Sequence, residues 1–239
     1  LDRKIGTYTV PTNWIIIAAG NRLGDRSVTF RLPTALSNRF THLEIEVSAE
    51  EWYQWAWKND IDPFIIGFLR YQPELLNRFD PETEEMAFPT PRSWAFASSF
   101  IDVRGEDIIL YYKAIQGTVG EAAAQQFLAY LKYKDRIPDP ETILEGKNYE
   151  IPKSPDMQYL LMSGLVNALI NNFSSNRIKN YFSYVSEFSN TQFVDHGVVL
   201  VKELLLAAEN NPNLGDSKTI LTNHNSFKNW VNDNIEVFS

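Results

Sequence analysis

The sequence contains no cysteine. That excludes disulfide bridges and thiolate metal sites and suits a reducing compartment, so a cytoplasmic location is expected. Histidine is scarce. His42, His196 and His224 are far apart and form no H-E-x-x-H pattern, which leaves little for a zinc site. No apolar run approaches the roughly 20 residues that span a bilayer, and no signal peptide is visible, so no membrane association is expected. Positive charge is in deficit. The 22 Lys and Arg stand against 30 Asp and Glu, a net charge of −8, which argues against a broad nucleic-acid face.

Several catalytic motifs are also missing. There is no G-x-x-x-x-G-K-[ST]: Gly146-Lys147 is followed by Asn148 and has no glycine five residues earlier. No apolar strand ends in Asp-Glu, so both a P-loop and its acidic partner are lacking. The serines sit in no G-x-S-x-G elbow. Carboxylate pairs such as Glu84-Glu85 lie in polar stretches and read as solvated. The chain begins with Leu1 rather than Met, so the natural start is expected elsewhere.

What is present is globular. Hydrophobic residues make up 44%, and 15 Phe, 11 Tyr and 6 Trp predict aromatic-rich cores within 239 residues. Residues 1–48 read as the end of an α/β unit, with strands at 7–10, 14–19 and 42–47. The middle one, Trp14-Ile15-Ile16-Ile17-Ala18-Ala19, is apolar on both faces, as a central strand is. After Val47 the pattern turns helical. Ser48 is a good N-cap with Glu51 three residues on, and Trp52, Trp55 and Ala56 fall on one face. Pro63 suits a first helical turn, with Ile65, Ile66, Phe68 and Leu69 buried. Residues 92–103 predict a helix with Trp94, Phe96, Ala97 and Phe100 inward, and 121–134 predict another. Pro138-Asp139-Pro140 opens a loop running to Pro155, read as a hinge or linker. Helices are expected at 156–173, 176–188, 190–209 and 225–237.

Three polar residues stand out. Gly20 lets the chain turn sharply after the apolar run, which delivers Asn21 to the C-terminal edge of a sheet, where α/β proteins keep their ligands. The bland alternative is a turn amide. Arg39 closes the segment Arg31–Phe40, in which Leu32, Leu36 and Phe40 can anchor while the guanidinium projects. The alternative is a surface arginine at a helix end. Arg92, in Thr90-Pro91-Arg92-Ser93-Trp94, sits at a helix start, where a cation opposes the helix dipole and a bound anion would relieve it. The alternative is ordinary surface placement.

In order, the chain carries Ala18-Ala19-Gly20-Asn21-Arg22, Asp25-Arg26, Leu32-Pro33, Ala35-Leu36-Ser37-Asn38-Arg39-Phe40, Trp52, Trp55-Ala56, Phe88-Pro89-Thr90-Pro91-Arg92-Ser93-Trp94 and Gly117-Thr118-Val119-Gly120-Glu121. This set resembles the MoxR branch of AAA+ ATPases, over residues 1 to about 135, without the nucleotide-binding half. The resemblance implies a mainly α chain: a remnant of the AAA+ α/β core with few strands (1–48), a helical lid (49–135) and a helical C-terminal extension (136–239). It implies Asn21 as sensor 1, Arg39 as arginine finger and Arg92 as sensor 2 on nucleotide phosphate. ATP and Mg²⁺ would serve the complete protein, with none expected in this chain, which alone should not hydrolyse ATP. The implied partners are the missing ATPase half, neighbouring subunits of a homo-oligomeric ring and a von Willebrand factor A domain protein, for chaperone-like remodelling. The alternative is a non-catalytic helical interaction module. Separately, Tyr181-Phe182-Ser183-Tyr184 crowds three rings into four residues, so at least one ring is expected to stay exposed, or to be covered only by another molecule, as a docking face. The alternative is that the aromatics of this tail fill its own core.

Overall fold

A computed structural model describes residues 3–20, 33–80, 85–188, 194–210 and 215–234. Near the start, β1 (Lys4–Ile5) and β2 (Tyr8–Thr9) pair antiparallel, Lys4 opposite Thr9 and Ile5 opposite Tyr8. Arg3 braces the turn after β2. Its guanidinium donates to the carbonyls of Pro11 and Trp14 at 2.8 and 3.1 Å. The strands expected at 14–19 and 42–47 do not form. Ile15 and Ile17 are each 85% exposed, and Leu43 and Ile45 are 85% and 88% exposed. A β-branched run favours a strand only when it can pack on a pleated neighbour, and the described residues offer it none. The short helix α1 (Thr34–Ser37) completes this part.

The rest is helical. The elements are α2 (Ala49–Lys58), α3 (Pro63–Tyr71), α4 (Pro91–Ser98), α5 (Ile101–Glu106), α6 (Ile108–Val119), α7 (Glu121–Leu131), α8 (Pro140–Leu144), α9 (Pro155–Asn171), α10 (Ser175–Ser186), α11 (Val194–Asn210), α12 (Ser217–Asn223) and α13 (Asn225–Asp233). The chain divides into two compact units, Leu1–Glu46 with Asp80–Glu84, and Val47–Phe79 with Glu85–Ser239. No helix among the described residues is long and apolar enough to cross a membrane.

Local chemistry starts these helices. The Ser48 hydroxyl accepts the Glu51 N–H at 3.3 Å, and Asp62 accepts the Phe64 N–H at 3.0 Å with Pro63 in the first turn. Thr90 and Ser93 form a reciprocal capping box ahead of α4. Asp139 caps α8 through the Glu141 N–H at 3.0 Å, with Pro140 as first helical residue. The segment read as a linker is therefore packed. Ile143 and Leu144 are 1% exposed, so 138–155 is no free hinge.

Two apolar clusters fill the larger unit. In the first, Phe68 of α3 lies against Trp94, Phe127 and Tyr130 at 5.6, 5.2 and 5.5 Å between ring centroids. Trp55 and Phe96, expected inside, are 44% and 59% exposed. The inward face of α2 is Trp52, Tyr53 and Ala56, and that of α4 is Trp94, Ala97 and Ser98. In the second, Phe182 meets Phe227 and Trp230 at 5.8 and 6.4 Å. Helix α9 serves both: Leu160 enters the first, while Leu161, Leu165 and Leu169 enter the second. Each fully buried side chain of this kind contributes about 1.5–3 kcal/mol.

Tyr181, Phe182 and Tyr184 are all buried, at 0%, 2% and 0% exposure, which removes the docking face expected there. One helix face cannot hold three such rings, but α10 packs against α8, α9, α11 and α13 and so is covered on more than one side.

Among the described helices, α3 and α9 share the most extensive contact. A Cβ at Gly67 would stand 2.7 Å from both Ser163 Cβ and Oγ and 2.8 Å from the Tyr130 hydroxyl. Between α6 and α7, Gly120 holds φ +84°, and a Cβ there would meet the Ala87 carbonyl oxygen at 2.6 Å. The residue before α7 is therefore glycine for two independent reasons.

Candidate functional site

Asn21 lies outside the described residues. Arg39 is exposed just after α1, its N–H bonded to the Leu36 carbonyl at 3.0 Å. Leu36 and Phe40 are half-buried, and His42 Nε2 lies 2.9 Å from the Ser37 carbonyl oxygen and 3.2 Å from its hydroxyl, which ties the turn around Arg39. Arg92 is the second residue of α4 and is exposed, as its place at a capped helix start predicts. The turn beneath it is fixed: Trp52 Nε1 donates to the Pro91 carbonyl at 3.3 Å, and Trp94 Nε1 donates to that of Leu75 at 2.7 Å. Neither arginine has an ion-pair partner among the described residues. Arg39 belongs to the first unit and Arg92 to the second.

A serine–histidine contact invites a hydrolase reading and fails it. Ser175 Oγ lies 3.0 Å from His224 Nε2. The Nδ1 atom of the same ring accepts the Ser226 N–H at 3.2 Å and caps α13. A neutral imidazole that accepts at Nδ1 carries its proton on Nε2, so it donates to the serine and cannot take the serine proton. The pair joins α10 to α13. Among the described residues no group of His, Asp and Glu could hold a metal ion.

The densest polar chemistry is one that motif reading of the sequence misses. Arg70, on the last turn of α3, donates from Nε to Glu203 Oε1 of α11 at 2.6 Å, and from Nη1 and Nη2 to the Glu50 carboxylate of α2 at 2.7 and 3.2 Å. Trp57 Nε1 donates to the other Glu203 oxygen at 2.5 Å. The guanidinium carbon lies 3.6 Å from the centre of the Tyr53 ring, a cation–π geometry. Burial lifts the Glu203 carboxyl above its usual range, although Arg70 and Trp57 pull it back. Burial would lower the Arg70 guanidinium, but the charges of Glu203 and Glu50 outweigh it and hold it above its ordinary value. The hydrogen bond from Arg70 holds the Glu50 carboxyl low. The available signal is charge bordering an apolar helical run: Arg70 after Ile65-Ile66-Gly67-Phe68-Leu69, and Glu203, next to Lys202, ahead of Leu204-Leu205-Leu206. The cavity beside the pair, bounded by Gly67, Tyr159, Met162 and Ser163, measures about 10 Å³, which is scarcely space for one water. The network fastens α11 to α2 and α3.

Elsewhere a groove of about 420 Å³ is lined by Pro138, Asp139, Thr142, Asn148, Tyr149 and Glu150. Tyr149 is fixed in its wall, its hydroxyl donating to the Glu187 carboxylate and its ring edge-on to Tyr184 at 5.6 Å. No family model, curated protein or solved structure matches this chain.

Proposed function

We propose that this chain is the sensor- and lid-bearing portion of a MoxR-type AAA+ ATPase, inactive alone and acting in the cytoplasm. In this reading the complete protein binds ATP and Mg²⁺ and couples hydrolysis to the remodelling of a partner, for which a von Willebrand factor A domain protein is the family precedent. Asn21 orients the attacking water. Arg39 reaches the γ-phosphate of a neighbouring subunit, and that head-to-tail relation closes a ring. Arg92 answers nucleotide phosphate from the start of α4.

One observation carries this reading. Ile15, Ile17, Leu43 and Ile45 stand almost fully exposed on two short segments that flank the Asn21–Arg39 stretch. Four aliphatic side chains so placed favour burial against further sheet or helix. The exposed Arg92 at a capped helix start supports the same reading. The second reading, a non-catalytic helical interaction module, is favoured by the exposed first turn of α6, where Ile108, Ile109 and Leu110 are 59%, 70% and 55% accessible.

The test begins with the polypeptide encoded upstream of Leu1. A P-loop and an apolar strand ending in Asp-Glu are expected there, and a stop codon directly upstream overturns the proposal. In the complete protein, Arg39→Ala should abolish turnover with nucleotide affinity nearly intact, a finger being worth about 10³–10⁵ in rate. Arg92→Ala should weaken nucleotide binding as well. Equal losses of affinity in the two variants would reject these roles.

A further inference from the structure

The groove beside α8 is lined by none of Asn21, Arg39 and Arg92. We propose that it is a docking site for a cationic side chain, an arginine or lysine carried on an extended segment of a protein partner.

The groove is held open by rigid parts. Ile143 and Leu144 root α8 in the second cluster, and Asn180 Nδ2 donates to the Leu144 carbonyl at 2.9 Å. Arg177 grips Glu141 with two bonds of 2.5 and 3.0 Å. The Lys147 N–H closes back on the Thr142 carbonyl at 3.0 Å and ties the two arms of the loop together. A site prepared in this way loses little freedom when it is filled. Its volume falls within the range of ligand pockets.

The lining selects the occupant. Pro138 and the Tyr149 ring give apolar wall, Asn148 and Thr142 give polar contacts, and Asp139 and Glu150 bring negative charge. No lysine or arginine lines it. Glu187 lies behind as a third carboxylate, held by the Tyr149 hydroxyl. The other nearby acids are already matched, Glu141 by Arg177 and Glu145 by Lys147. Asp139, Glu150 and Glu187 have no ion-pair partner among the described residues. Lys147 is the competing cation. Its ammonium rests on Glu145, and Asp139 adds to the field that keeps it protonated. Asp139 also accepts the Glu141 N–H and Glu187 the Tyr149 hydroxyl, but no salt bridge neutralises either charge or that of Glu150, and an aromatic side chain beside such carboxylates suits a guanidinium or ammonium group.

The probe is a fluorescein-labelled acetyl-Gly-Arg-Gly-Arg-Gly amide, titrated with the 239-residue chain by anisotropy. Saturable binding that weakens between low salt and ~0.3 M is expected. The matching peptide with Glu for Arg should not bind. The double variant Asp139→Asn, Glu150→Gln should lose affinity about fivefold to tenfold, as for two partly exposed ion pairs. Asn still caps α8, so unfolding of the double variant should match the parent. Tyr149→Leu should weaken binding too, and Lys147→Ala should tighten it. Glu209→Gln, at an exposed acid on α11, should change nothing. Three results would each overturn the proposal: no saturable binding, equal binding of the Glu peptide, or a double variant no weaker than Glu209→Gln.

Discussion

Arg70 and Glu203 are 133 positions apart, yet the guanidinium Nε of one lies 2.6 Å from the carboxylate of the other. Their side chains are only 12% and 8% accessible. A pair so enclosed contributes little net stability, but loss of one member strands the other.

Glu203→Ala should therefore destabilise the chain by about 3 kcal/mol in urea unfolding. The double variant Arg70→Met, Glu203→Leu should lose clearly less than the sum of the two single changes, because no charge is left stranded. Strict additivity in this cycle would show that the pair is not coupled.

Tyr181 and Tyr184 are both fully buried, but their hydroxyls differ. That of Tyr181 donates to the Leu200 carbonyl at 2.8 Å. That of Tyr184 has no hydrogen-bond partner among the described residues. Tyr181→Phe should cost about 1–2 kcal/mol, whereas Tyr184→Phe should be neutral or slightly stabilising. Thermal or urea unfolding of the two variants decides it, and the reverse ranking would refute the assignment.

His196 packs edge-on to Tyr159 at 5.0 Å and beside Phe188 at 6.3 Å. Burial lowers its pKa, against a smaller opposing pull from Asp195. The unfolded chain thus binds the proton more readily than the folded one. Its contribution is complete above the ordinary histidine pKa of about 6.5 and is lost as pH falls below that value. The stability difference between the parent and His196→Phe should therefore change over pH 5–7, with the parent weakening relative to the variant toward acid. A difference that stays flat across this window would contradict the shift.

Gly67→Ala pushes a methyl group into Ser163 and the Tyr130 hydroxyl at under 3 Å. A loss of about 1–3 kcal/mol is expected from such overpacking. Adding Ser163→Gly should recover part of it, because the clash is with the serine side chain. If the serine change gives no relief, the α3–α9 approach is looser than described.

Legibility follows the range of the interactions. Helix starts built from neighbours are readable: Ser48 with Glu51, Asp62 with Pro63, and Thr90 with Ser93 each announce a helix within four residues. The same logic is present at Asp139-Pro140, an N-cap followed by proline, but the prolines around it suggest a linker. Phase is harder. Trp55 looks inward beside Trp52 and Ala56, yet Tyr53 takes that place, because the position of α11 and α3 around α2 decides which arc is covered. The opening turn of α6 hides its helix, since Ile108, Ile109 and Leu110 are exposed and break the apolar period. Arg92 at its helix start can be read locally. The Arg70–Glu203 contact cannot, because nothing in the chain names a partner 133 residues away.

Gly120 imposes a constraint of a different kind. Its left-handed backbone and the Ala87 oxygen at 2.6 Å from any added Cβ leave no side chain that fits without moving the loop before α4. Surface positions such as Trp55 or Met86 are free to drift over generations, whereas this one is not. Among diverged descendants, the glycine just ahead of the inward pair Ala123-Ala124 and of Phe127 would be the residue to align first. It would remain a recognisable signature of common ancestry after the rest of the α6–α7 turn had changed.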